Sequence, residues 1–88
     1  MKNYFVYIIK SSLGHIYIGQ TSNLQDRLKR HNSNRSNYTK NKGSWELVIC
    51  FEVSSRVEAI SLERKLKNMK NSEKAIEYLK KLVQSTPT

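Results

Sequence analysis

Hydrophobic positions along the chain fall into segments of two different periods. Tyr4-Phe5-Val6-Tyr7-Ile8-Ile9 is an unbroken β-branched and aromatic run, which predicts a strand buried on both faces. Ser11-Ser12-Leu13-Gly14 carries turn chemistry, and His15 to Gly19 reads as the returning strand of a hairpin. Gly19 closes that strand or lets another group approach its backbone. Ser22 is the expected N-cap of a helix from Asn23 to about Asn32. Ser33 to Gly43 has no period and predicts an exposed basic loop. Trp45 to Val53 alternates, predicting a third strand with Trp45, Leu47, Ile49, Phe51 and Val53 on one face.

Ser55 with Glu58 forms a capping-box pattern for a second helix reaching about Asn68. Ser72 is the expected cap of a last helix, in which Ala75, Ile76, Leu79, Leu82 and Val83 recur at helical spacing. Lys80 and Lys81 are expected in its final turn, where the helix dipole favours cations. The order is therefore ββαβαα. Hairpin strands pair antiparallel, so the economical α+β arrangement is a three-stranded antiparallel sheet flanked by helices. Residues 1–84 are expected to form one domain, with 85–88 as a frayed tail.

Composition narrows the class. Sixteen Lys and Arg stand against seven Asp and Glu in 88 residues, a net charge of +9. A small domain with that balance attracts polyanions, of which nucleic acid is the commonest inside a cell. No apolar run approaches the roughly 20 residues of a membrane span, and neither end carries a lipidation motif. Cys50 alone builds neither an internal disulfide nor a zinc cluster, which points to a reducing, cytoplasmic setting.

Charge interrupts the apolar pattern at informative places. Leu24, Arg27, Leu28 and His31 fall at i, i+3, i+4 and i+7, the inward stripe of an amphipathic helix, while Gln25, Asp26, Lys29 and Arg30 take the opposite side. Arg27 and His31 are thus expected at the core rim, facing the sheet. A snorkelling arginine and a carbonyl-bonded histidine fit the same positions. In the second helix Ala59, Ile60, Leu62, Leu66 and Met69 define an apolar arc that contains Glu63 but not Glu58. Glu63 suits a metal ligand or the centre of a hydrogen-bonded cluster, with an exposed ion pair as the plainer alternative. Tyr7 and Tyr17 share a sheet face in any register with an even pairing sum. A three-residue loop at Ser11 to Leu13 would set them directly opposite each other.

Val6-Tyr7-Ile8, a short turn, Tyr17-Ile18-Gly19, Arg27, His31 and then Ala59 to Lys67 around Glu63 together resemble the GIY-YIG nuclease family. The likeness spans roughly Tyr4 to Leu82 and is greatest to small stand-alone bacterial members akin to the excision-repair incision subunit. Its first element is Val-Tyr-Ile rather than Gly-Ile-Tyr, and Gln20 stands where several members have Lys. The resemblance implies a Mg²⁺- or Mn²⁺-dependent DNA endonuclease domain, with structure-selective cleavage or DNA repair as its setting. Carried over by position, Tyr7 and Tyr17 would be the motif tyrosines and competing general bases. Arg27 would be the motif arginine, His31 would stand at a His/Tyr position, and Glu63 would be the sole protein ligand of the metal.

Those types suit phosphodiester hydrolysis, which needs an activated water, a cation for the developing charge and assistance to the leaving oxygen. Magnesium keeps most of its waters and takes one or two carboxylates. Arginine grips two phosphate oxygens and stays charged at physiological pH. Arg35, Tyr38, Lys40 and Lys42 of the basic loop would track the DNA backbone, with Tyr38 stacking a base. A domain this small could draw its specificity from a protein partner. Two other readings fit the same charge: a binding module without turnover, and an RNA-binding or ribosome-associated protein.

Overall fold

The computed structural model describes residues 3–33 and 43–85. The loop positions Arg35, Tyr38, Lys40 and Lys42 lie outside the described residues. The elements follow the expected order: β1 (Tyr4–Ser11), β2 (Ile16–Thr21), α1 (Leu24–Asn32), β3 (Trp45–Val53), α2 (Arg56–Asn68) and α3 (Ser72–Ser85). The sheet is antiparallel with spatial order β2-β1-β3, so the most apolar strand is central. Val6 and Ile8 face α2 and α3, joining Ala59, Leu66, Ala75 and Leu79 in one core. Tyr7 and Ile9 face the other way, toward α1, and pack with Trp45, Leu24 and Leu28 in a second. Burial on both sides explains why this strand shows no alternation.

The hairpin turns one residue later than expected. Ser11 pairs with His15, its N–H donating to the His15 carbonyl at 2.8 Å, and Ser12-Leu13-Gly14 forms the loop. Gly14 takes φ +90°, a conformation open to glycine and costly for other residues. The Ser11 hydroxyl accepts from the N–H groups of Leu13 and His15 and fixes the loop from inside. The resulting register pairs Tyr7 with Gly19 and Ile9 with Tyr17. The two tyrosines therefore share a face, as expected, but stand diagonally and not directly opposite.

Strand β3 departs further from its sequence reading. Ile8 pairs with Ile49, whereas Ile9 pairs with Leu47, so Val48 is an extra residue in a β-bulge. The bulge reverses the alternation. Ile49, Phe51 and Val53 pack on the α2/α3 side, while Trp45 packs with Tyr7 and Ile9 on the α1 side. The single apolar face expected for this strand is thus divided between two cores.

Helix starts also shift by one residue. Asn23, not Ser22, caps α1: its side-chain oxygen accepts from the Asp26 N–H at 3.1 Å, and the Thr21 hydroxyl accepts from the Asn23 N–H at 3.0 Å. Asn71, not Ser72, caps α3, accepting from the Lys74 N–H at 3.1 Å. Asparagine caps as well as serine does, so the sequence offered two adjacent candidates at each site. Ser55 does cap α2 through the Glu58 N–H, and Glu58 reaches back to the N–H and hydroxyl of Ser54. Helix α3 continues to Ser85, which leaves Lys80 and Lys81 before its last turn and not within it. Among the described residues no helix is long and apolar enough to cross a membrane.

Candidate active site

The α1 face of the sheet gathers most of the polar residues singled out by sequence. Tyr7 is fully buried on β1, and its hydroxyl lies 3.0 Å from His31 Nε2. His31 is 1% exposed, deeper than the rim position its spacing suggested. The Tyr17 ring completes the group, with its centroid 4.8 Å from that of His31 and 6.2 Å from that of Tyr7. Tyr17 is half-buried, so it is the phenol of the pair that meets solvent.

Local structure fixes this arrangement. Gly19 faces Tyr7 across the ladder, and a Cβ at position 19 would stand 2.6 Å from the Tyr7 hydroxyl oxygen and 2.9 Å from a Tyr17 ring carbon. The glycine is therefore a space requirement of the two tyrosines. His31 is held at the end of α1 by its neighbour Asn32, whose amide donates to the Trp45 carbonyl at 3.0 Å and accepts from the Trp45 N–H at 2.6 Å. Trp45 lies beside His31, with ring centroids 6.3 Å apart. Asn32 and Trp45 were not singled out for the site by sequence. Their link spans the basic loop, and no short-range pattern announces it.

Arg27 and Glu63 approach from opposite sides. Arg27 is half-buried one turn before His31, and no carboxylate among the described residues pairs with it. Burial pushes the Tyr7 phenol well above the ordinary tyrosine range; Tyr17 and Glu63 add to this and Arg27 opposes it. Burial, with the Arg27 charge, lowers the His31 pKa. Glu63 sits on the inward side of α2, its side chain 19% exposed, with Lys67 Nζ 2.7 Å away on the next turn. Tyr17 and Lys67, the ion-pair partner of Glu63, line one groove of about 370 Å³ between β2 and the α2–α3 junction.

The donor set favours one kind of ion. No cluster of three or more His, Cys, Asp or Glu side chains exists among the described residues, so a zinc cage has no counterpart there. A single carboxylate, paired here with a half-exposed Lys67, fits magnesium or manganese, which retain water ligands.

The fold is a three-stranded antiparallel sheet flanked by helices, with a Tyr-Tyr-His cluster on one face. The GIY-YIG catalytic domain matches residues 3–76, and the chain belongs to the GIY-YIG family. It is similar to small bacterial proteins of like length. The UPF0213 protein YsiG of Lactococcus lactis is 34% identical over 93 aligned positions, covering 90% of this chain and 89% of that one. The UPF0213 protein BH0048 of Halalkalibacterium halodurans is 32% identical over 73 positions, 82% of this chain and 78% of that one. The solution NMR structure of BH0048 superposes with a TM-score of 0.52, covering 93% of this chain and 83% of that chain at 30% identity.

Proposed function

We propose that the protein is a metal-dependent DNA endonuclease domain that hydrolyses phosphodiester bonds with Tyr7, Tyr17, Arg27, His31 and Glu63. The observation that carries this reading is the buried Tyr7–His31 contact with the Tyr17 ring packed at a tilt against it, in electrostatic reach of both Arg27 and Glu63.

The two tyrosines differ in what they can do. Tyr7 is sealed from solvent and its phenol is held protonated, so it can touch neither substrate nor an attacking water. Its role is to position: the Tyr7 hydroxyl is hydrogen-bonded to the His31 ring, and this pair packs against Tyr17. A general base must be deprotonated and must reach the proton it removes; Tyr17, acting as its phenolate, is the tyrosine with that access. Arg27 presents a planar fork for two phosphate oxygens and steadies their charge as it grows. Glu63 would hold the divalent ion, exchanging its Lys67 contact for it. When bound, the ion supplies positive charge to the phosphate as bond breaking proceeds.

Cleavage is the test. Duplex, flapped, branched and single-stranded DNA are incubated with Mg²⁺ or Mn²⁺, with chelator, and with the Glu63→Ala variant. Nicking that needs both the metal and Glu63 supports the reading. Binding that survives Glu63→Ala, with no cleavage by the wild type on any substrate, replaces it with a non-catalytic binding module. The excess of positive charge makes nucleic acid the expected ligand in either case.

A further inference from the structure

A depression of about 230 Å³ opens beside the catalytic cluster, lined by Tyr4, Gln20, Thr21, Ser22, Arg27 and Arg56. Its surface is mostly polar, and its two ionisable cations come from different elements, α1 and the first position of α2. No acidic residue lines it.

The placement of Arg56 has no explanation in the stability of the fold. A cation in the first turn of a helix opposes the helix dipole, whose positive end lies there. The nearest carboxylate in sequence, Glu58, is committed to the N–H and hydroxyl of Ser54. The ion pairs among the described residues are Arg30–Asp26 and Lys67–Glu63, so neither Arg56 nor Arg27 has an acidic partner there. Two guanidinium groups on one concavity repel each other unless an anion joins them. Gln20 and Ser22 supply neutral polar side chains around the same concavity, while the Thr21 hydroxyl is committed to Asn23, and this suits a multiply hydrogen-bonded oxyanion.

We propose that this depression is a phosphate-binding subsite, with Arg56 as its outer clamp. It would hold a phosphate of the nucleic-acid strand alongside the one undergoing hydrolysis. The inference rests on the nuclease reading for its direction, because Arg27 joins the two sites: it lines the depression, and its charge acts on Tyr7 and His31 of the cluster. A strand gripped at two neighbouring points is held in line for attack, which is the positioning that phosphodiester hydrolysis requires. Arg56 is thus a binding and positioning residue that does not touch the reacting atoms.

Fluorescence anisotropy in chelator, with the full chain and a fluorescent duplex, isolates this subsite from cleavage. Arg56→Ala should lower affinity roughly three- to tenfold at low salt and make the slope of log K against log salt shallower by about 0.9, the loss of one phosphate contact. Arg56→Lys, which keeps the charge, should restore the slope. The melting temperature of Arg56→Ala should hold or rise, since a cation leaves the positive end of α2. Oligonucleotides with and without a 5′-phosphate separate the two sources of the ligand. An equal loss on both assigns the subsite to an internal phosphodiester, and a loss confined to the phosphorylated strand assigns it to a strand end. Wild-type affinity and slope in Arg56→Ala would overturn the proposal, even if the wild type cuts DNA. Absence of wild-type cleavage in metal would end the nuclease reading and leave the binding result standing.

Discussion

Gly19 lies directly across the β1–β2 ladder from Tyr7, and the Tyr7 phenol fills the space that a side chain at position 19 would occupy. Gly→Ala in a strand ordinarily costs little or even stabilises, by narrowing the unfolded ensemble. Here the added methyl meets the hydroxyl of a ring that is fully buried and hydrogen-bonded to His31. Gly19→Ala should therefore destabilise by about 1–3 kcal/mol, the cost of overpacking, and should abolish cleavage. Urea denaturation with a plasmid-nicking assay checks both. A variant as stable and active as wild type would show that Tyr7 moves freely and that the cluster is not a fixed unit.

Tyr7 and Tyr17 should separate by their readouts. Tyr7→Phe removes a hydroxyl from a buried hydrogen bond and should cost about 1–2 kcal/mol of stability. Tyr17→Phe leaves a half-exposed ring in place, so stability should hold while kcat falls about 10²-fold or more, as expected for a lost base. Melting curves and single-turnover rates for the two variants decide it. The reverse pattern would transfer the base role to Tyr7.

Glu63→Ala should eliminate cleavage with the fold intact and DNA affinity unchanged or raised, because one anion leaves a basic surface. Glu58→Ala should cost about 1 kcal/mol through the lost contacts at the start of α2, with no effect on chemistry. Loss of DNA binding in Glu63→Ala would exclude the metal-ligand role.

Acid should weaken the fold through His31. Its folded pKa lies below the ordinary value of 6.5 because burial and Arg27 disfavour the imidazolium. Above pH 6.5 the ring is neutral in both states and its contribution to stability is complete. As pH falls below 6.5 the unfolded chain takes up the proton first, and that contribution is lost through the lower folded value. Unfolding free energies between pH 4 and pH 8 should show this decline in the wild type and less of it in His31→Asn.

Arg27→Lys keeps the charge and most of the aliphatic stem but loses the fork. Stability should change by less than about 0.5 kcal/mol, while kcat should fall about 10²-fold, as for other lost oxyanion donors. Wild-type turnover with normal melting would place Arg27 outside the chemistry.

The ββαβαα order and the two-sided burial of β1 were legible because burial on both faces suppresses alternation in Tyr4 to Ile9. The shared face of Tyr7 and Tyr17 followed from pairing parity alone. Their diagonal offset did not, because Ser11 and Ser12 offer equivalent starts for the turn and only the Ser11 hydroxyl bonds decide between them. His31 looked like a rim residue because α1 spacing says nothing of Trp45, which arrives after the loop and closes over it. Arg56 is silent in the sequence for a related reason. Its first-turn position reads only as an unfavourable place for a cation until the fold sets it beside Arg27.

The extra residue in β3 has a consequence for how this chain can change over time. Because Val48 reverses the alternation, the segment before it supplies Trp45 to the tyrosine side and the segment after it supplies Ile49 and Phe51 to the helix side. Exchanging one apolar residue for another here alters only local packing. Removing a single residue between Glu46 and Ile49 would instead turn Trp45 away from His31 and carry its Asn32 anchor with it. The length of this short stretch is thus held more tightly than its composition, and variants that survive in it should be substitutions, not deletions.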